Sequence, residues 1–212
     1  MDEYLLHYIS KTLPAKAEWV KEIEKKAKED NVPIMDEISI EFLMQLIRLS
    51  KPNKILEIGS AIGYSALRMQ EAYPKTKITT IERDENRVQQ AIKNIEKSHQ
   101  SDNIHVIHGD ALNEINNLAA RNEQFDVIFI DAAKGQYKRF FELSSSLIKP
   151  TGLIITDNVL FKGLVANPNR GSSRLDKIAK KIHAYNEWLV NHHNFTTSIV
   201  PIGDGVAISI KK

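Results

Sequence analysis

The sequence predicts an α/β fold: a doubly wound sheet of seven strands, mostly parallel, closed at its C-terminal end by an antiparallel hairpin. Three observations lead there. From Lys54 onward, short runs rich in β-branched residues alternate with longer amphipathic stretches, the pattern of βαβ units. The last two runs are separated only by Ile202, Gly203, Asp204 and Gly205, a connection of hairpin length. No repeat, low-complexity tract or Pro/Gly/Ser linker divides the 212 residues, so a single domain over 1–212 is expected.

In chain order, two helices precede the first strand, one across about 15–30 and one near 36–50, where Leu43, Leu46 and Ile47 share a face. Residues 1–50 are thus expected to form a helical cap. The parallel strands are read at KILEI (54–58), KITTIE (77–82), IHVIH (104–108), FDVIFID (125–131) and GLIITD (152–157). Between them apolar residues recur at helical spacing, as in Val88, Ala91, Ile92 and Ile95 behind Asp84, a residue suited to capping a helix. A late helix is expected to bury Leu175, Ile178, Ile182 and Leu189. TTSIVP (196–201) and VAISI (206–210) form the hairpin.

Composition narrows the class. With 42% hydrophobic and 26% charged residues the chain is ordinarily globular. Cys 0 excludes disulfides, thiolate catalysis and cysteine-held metals, and suits a reducing cytoplasm. The opening MDEYLLHYISKTLP has acidic residues and only a short apolar run, unlike a secretory signal. No stretch approaches the about 18 apolar residues a membrane crossing needs, so no membrane association is expected. Lys+Arg 29 against Asp+Glu 27 leaves +2, so a nucleic-acid partner would have to be met by a local patch.

Ligands of such sheets sit beyond the carboxyl ends of the strands. There LEIGSAIGYSA (56–66) places Gly59 and Gly63 in the turn to the next helix, where glycine lets backbone amides approach a ligand. The spacing is not the G-x-G-x-x-G of a dinucleotide site, which disfavours an NAD(P) oxidoreductase. Glu57, just before the turn, would oppose a pyrophosphate but could accept amine protons. About twenty residues past the loop, Glu82 ends the second strand, where an acid can accept both ribose hydroxyls or simply face solvent. Gly109-Asp110-Ala111 after the third strand suits an adenine. A nucleoside joined to an amino acid, without pyrophosphate, describes S-adenosylmethionine.

E-x-G-x-x-x-G-Y-S at Glu57 to Ser65, then Glu82, GDA at 109–111, DAAKGQY at 131–137 and TDNVLFKG at 156–163, resembles the S-adenosylmethionine-dependent O-methyltransferases of the catechol and caffeoyl-CoA type. The resemblance spans nearly the whole chain and implies a Rossmann-like class I methyltransferase fold. Within that family, VPIM (32–35), DAAKGQY and ITDNVLFKGLV look most like the bacterial tRNA 5-hydroxyuridine methyltransferases. Carried over, Gly59, Ser60 and Gly63 would line the methionine moiety, Ser65 would bind its carboxylate, Glu82 the ribose, and Asp110 with Ala111 the adenine. Met35 would close over the cofactor, or simply fill core. The resemblance also implies a homodimer to which the N-terminal helices contribute.

Asp131, Asp157 and Asn158 fall at the ends of neighbouring strands. Two carboxylates and an amide, without sulfur, suit a hard ion such as Mg²⁺, although acids there also cap helices. The ion's task would be to stabilise a deprotonated acceptor oxygen. Lys134 lies three residues after Asp131, the place of the lysine that acts in this family as general base or anion holder. Between Lys162 and His183 the chain carries Lys162, Arg170, Arg174, Lys177, Lys180 and Lys181 against Asp176 alone. Such a patch could meet RNA phosphates, with Tyr137, Phe161 or Tyr64 stacking an extruded base, could meet the phosphates of a CoA-linked acceptor, or could be merely solvated. The patch alone does not choose between these, and the subgroup resemblance implies the anticodon region of tRNA as the partner. His192 and His193 show no metal-ligand pattern and are read as surface or structural, and Trp19 and Trp188 as packing or interface residues.

Overall fold

The computed structural model describes residues 3–167 and 173–212. Seven strands, β1 (Lys54–Ile58), β2 (Lys77–Glu82), β3 (Ile104–His108), β4 (Phe125–Ile130), β5 (Ile148–Thr156), β6 (Phe195–Val200) and β7 (Val206–Lys211), form one sheet in the order β3-β2-β1-β4-β5-β7-β6. The first five run parallel, while β7 pairs antiparallel with both β5 and β6. The order therefore reverses between β1 and β4, the place where the loops diverge and a ligand crevice opens.

The helices are α1 (Glu3–Thr12), α2 (Glu18–Glu29), α3 (Glu37–Ser50), α4 (Tyr64–Ala72), α5 (Glu85–Lys97), α6 (Ala111–Ala120), α7 (Tyr137–Ser144) and α8 (Ser173–Val190). Asp36, Asp84 and Asp110 each end a loop by accepting amide hydrogens from the following first turn, which fixes where α3, α5 and α6 begin. No helix among the described residues is long and apolar enough to cross a membrane.

Period-two alternation decides which helix layer each strand residue meets. Ile128 and Ile130 face Ile115, Phe141, Ile182 and Leu189 of α6, α7 and α8, while Val127 and Phe129 face Val20, Leu43, Ile47 and Leu67 of α2, α3 and α4. A strand buried on both faces has to be apolar throughout, and FDVIFI nearly is.

Three expectations change. The helix α1 had no place in the sequence reading, because most of it faces outward: Tyr4 is 86% exposed and Tyr8 67%. β5 begins at Ile148 rather than Gly152, since its register against β4 shifts between the Phe125↔Ile148 and Val127↔Leu153 pairs and the earlier residues join the strand across that irregularity. Leu175 is 39% exposed, because the first turn of α8 extends beyond the edge of the core that Ala179, Ile182 and Leu189 join.

Candidate active site

The carboxyl ends of β1 to β5 form a staircase, each step bonded to its neighbour. The Gly59 amide donates to Ile81 (2.9 Å), Gly109 to Glu82 (2.9 Å), Asp131 to Ile58 (3.0 Å) and Asp157 to Ile130 (3.1 Å). Parallel pairing alone thus brings four separate turns to one line. Gly59 is required there, since with φ 98° a Cβ on it would lie 2.2 Å from the Asp131 carbonyl oxygen. A cavity of about 730 Å³ runs along these ends.

Its first half is lined by Gly59, Ser60, Ser65, Glu82, Asp110 and Ala111. Glu82 is fixed by three backbone donors: Arg83 (2.8 Å) and Asp84 (2.9 Å) on one oxygen, Ala61 (3.0 Å) on the other. It therefore ties the end of β2 to the glycine turn. The Ser60 hydroxyl is buried without a protein partner, a donor left for a ligand. Met35 lines the cavity and also packs into the core.

Glu57 and Gly63 are not on the cavity wall. Glu57 is fully buried behind the turn and accepts hydrogen bonds from Ser65 and Thr80, the latter at 2.5 Å. Burial pushes its carboxyl up to about 7, against the pull of those two hydroxyls. It reaches the cavity wall only through Ser65, whose hydroxyl is already committed to it. Gly63 caps α4 instead, with the space of its missing Cβ 3.3 Å from Ala91 of α5.

The second half gathers Asp131, Lys134, Asp157 and Asn158. Asp157 is buried at 3% exposure, and burial together with the charge of Asp131 pushes it up to about 8; burial likewise raises Asp131. Asn158 donates to Asp157 from its backbone (2.7 Å) and its side chain (3.0 Å), and its amide oxygen accepts from Lys134. Among the described residues no group of three or more His, Cys, Asp or Glu side chains is placed to hold a metal ion. What converges is two carboxylates, an amide oxygen and one ammonium.

At the mouth, Phe161 and exposed Lys162 line the cavity. Arg174, Lys177, Lys180 and Lys181 are exposed on α8, and Lys181 leans over Gly135 in the turn that carries Lys134. Arg170 lies outside the described residues. Neither tyrosine can stack a base. Tyr137 is 1% exposed, with its hydroxyl donating to the Asp157 carbonyl (2.9 Å), and Tyr64 is 2% exposed with its hydroxyl on Glu24 (2.7 Å). His192 and His193 stack on each other, and Trp188 packs against Phe141 and Tyr185.

Sequence reasoning missed Asp36, Gly203 and Asp204, which also line the cavity. The Gly-Asp-Gly of the hairpin was visible, but only as a turn.

Residues 10–212 match the family model described as O-methyltransferase. Among curated proteins, a caffeoyl-CoA O-methyltransferase of Populus kitakamiensis is 31% identical over 172 residues, covering 79% of this chain and 73% of that one. A catechol O-methyltransferase of Niastella koreensis is 35% identical over 130 residues, 60% and 59% of the two chains. Among solved structures, an O-methyltransferase from Bacillus cereus in complex with S-adenosylhomocysteine superposes with a TM-score of 0.86 at 26% identity, covering 97% of this chain and 96% of that one. A Staphylococcus aureus protein does so with 0.87 at 38% identity over 99% and 98%.

Proposed function

The chain belongs to the O-methyltransferase family and is an S-adenosylmethionine-dependent enzyme of the caffeoyl-CoA and catechol type; within that class we propose that it methylates the 5-hydroxyl of wobble 5-hydroxyuridine in tRNA, with help from a divalent ion such as Mg²⁺. The observation that carries the chemistry is the pairing, in one cavity, of a half lined by Glu82 and Asp110 with a charge-bearing half around Asp131, Asp157, Asn158 and Lys134.

The donor set fits a hard cation. Asp157 is buried and Asp131 half-buried, the charge of Asp131 raises the affinity of Asp157 for positive charge, and an amide oxygen completes an all-oxygen set. Asp131, Asp157 and Asn158 would hold such an ion. When bound, S-adenosylmethionine supplies an electrophilic methyl group on a sulfonium, and the divalent ion supplies positive charge that favours the acceptor as its anion. The chain's own residues do the rest. Glu82 and Ser60 orient the nucleoside and amino-acid parts of the cofactor. Lys134 takes or holds the hydroxyl proton at Nζ, beside Asn158. Met35 keeps water from the methyl group. In the balanced reaction a methyl–sulfur bond breaks, a methyl–oxygen bond forms, S-adenosylhomocysteine leaves and one proton is released. Alignment and charge neutralisation supply the rate.

The acceptor reading is supported by exposed cations, Lys162 at the mouth, Lys181 beside the turn that carries Lys134, and Arg174 and Lys177 further along the same helix, which suit a polyanion. A 5-hydroxyuridine also presents an enol-like hydroxyl beside a carbonyl oxygen, two adjacent oxygens as in a catechol. A homodimer belongs to the same reading. The test is nucleoside mass spectrometry of tRNA from a strain lacking the gene and from the same strain with it restored. Loss of 5-methoxyuridine with a rise in 5-hydroxyuridine, both reversed on restoration, is expected. Unchanged nucleosides would move the acceptor to a catechol-like or CoA-linked small molecule.

A further inference from the structure

The stretch 158–162 carries an unusual backbone. Asn158 (φ 58°), Phe161 (φ 45°) and Lys162 (φ 55°) are left-handed without being glycine, and such conformations persist only where the surroundings over-determine them. The surroundings here are the β6–β7 turn. The Val159 amide donates to the Gly205 carbonyl (2.9 Å), and the Leu160 and Phe161 amides both donate to the Asp204 carbonyl (2.7 and 3.2 Å). From the other side Asn186 of α8 donates to the Val159 carbonyl (2.8 Å).

The turn is itself wedged in place. Its Gly205 amide closes onto Ile202 (2.8 Å), and both glycines have positive φ, 53° at Gly203 and 87° at Gly205. A Cβ on Gly205 would lie 2.3 Å from Leu160 Cγ, and one on Gly203 2.1 Å from the Ser39 hydroxyl and 2.5 Å from the Asp36 carboxylate. The turn thus touches the 158–162 stretch on one side and the capped start of α3 on the other. The β5–β7 pairing, Thr156↔Ala207, ties it to the strand that delivers Asp157. Asp131 is held separately, through Ile58.

We propose that the β6–β7 turn, through Asp204, Gly205 and their hold on 158–162, is a positioning element that places the Asn158 amide and the Phe161–Lys162 rim on the acceptor side of the cavity, leaving the cofactor side untouched. Its bearing on a divalent ion rests on the reading of Asn158 given above. The experiment compares wild type with Gly205→Ala and the milder Leu160→Ala in the full chain. Three quantities are read: Mn²⁺ binding, S-adenosylhomocysteine binding, and hydrogen exchange of the Val159 and Leu160 amides.

For Gly205→Ala, Mn²⁺ affinity is expected to fall about tenfold or more and the two amides to exchange about tenfold faster, while S-adenosylhomocysteine affinity stays within about twofold. Leu160→Ala should move the same readouts in the same direction by about threefold, and it carries the test if Gly205→Ala does not fold. Unchanged exchange and unchanged Mn²⁺ affinity in a folded variant would overturn the proposal, as would a parallel loss of cofactor binding. If wild type binds no Mn²⁺, the divalent-ion reading fails on its own, and amide exchange alone decides the role of the turn.

Discussion

The two halves of the cavity handle negative charge in opposite ways. On the cofactor side Glu82 accepts three backbone amides and Asp110 caps α6, so each acid is balanced by dipoles the fold already provides. On the acceptor side burial raises both Asp157 and Asp131, the charge of Asp131 pushes Asp157 up further, and the Lys134 ammonium pulls both down. The first half is complete without a ligand's charge. The second is short of positive charge and depends on what it binds.

Asp157→Ala breaks this contrast most sharply. Methyl transfer should fall by at least about 100-fold, the scale set by losing one positioned charge in an active site, while S-adenosylhomocysteine binding stays within about threefold. Radiolabelled methyl transfer and calorimetric titration check the two numbers. Equal losses in both would mean that the halves are not separable.

The reciprocal change is Glu82→Ala. Hydrogen bonds to a charged group contribute about 1.5–3 kcal/mol each, so losing one to a bound ribose should weaken S-adenosylhomocysteine roughly 10–100-fold. Mn²⁺ affinity should hardly move. The substitution also frees three backbone amides at the glycine turn, so a lower melting temperature is expected with it.

What the sequence made legible follows the same division. Strand ends and caps are local signals: KILEI running into a glycine turn, an acid at the end of KITTIE, and Asp84 ahead of a periodic stretch all lie where their spacing put them. Contacts between distant segments are not local. Nothing in LEIGSAIGYSA tells that Glu57 lies off the cavity wall and bonds to Thr80, because that depends on β1 pairing with β2. Tyr137 sits in a motif beside Lys134, yet α7 turns its ring into the core, where Tyr185 packs against it. Asp36 and Gly203 reach the cavity only because α3 and the β6–β7 turn meet there, and they are separated by most of the chain.

Acidity gives a smaller and graded test. Asp157 is raised to about 8 in the folded protein, against about 4 in an unfolded chain. Below pH about 4 the group is protonated in both states and costs nothing; between about 4 and 8 the unfolded chain releases a proton that the folded one keeps. Stability without metal should therefore fall as pH rises through this window, with Glu57, raised to about 7, adding in the same direction. A cation needs the carboxylate, so the stabilisation conferred by Mg²⁺ should grow from pH 6 to pH 8. Melting curves with and without Mg²⁺ across that range check both slopes. In Asp157→Asn the Mg²⁺ increment should flatten, and an equal increment at pH 6 and 8 in wild type would contradict the assignment.

The finest test sets two buried tyrosines against each other. Tyr137 donates to the Asp157 carbonyl beneath the acceptor half, and Tyr64 donates to Glu24, tying the start of α4 to α2 beside the cofactor half. Removing the Tyr137 hydroxyl leaves that buried carbonyl without its donor, which costs about 1–3 kcal/mol, or roughly 2–4 °C of melting temperature per kcal/mol at this chain length. Tyr64→Phe should cost less, because the Glu24 carboxylate keeps its bond to Lys16 at 2.9 Å and is partly exposed. Stability alone would not separate a packing role from a positioning one, since both variants lower it. The ligand affinities do. Tyr137→Phe should weaken Mn²⁺ binding a few-fold and leave S-adenosylhomocysteine unchanged, because the hydroxyl orients the residue that carries the carboxylate. Tyr64→Phe should leave Mn²⁺ unchanged, and any loss it causes should fall on the cofactor. If Tyr137→Phe weakened both ligands equally, the boundary between the halves would have to be redrawn through β5 rather than between β1 and β4.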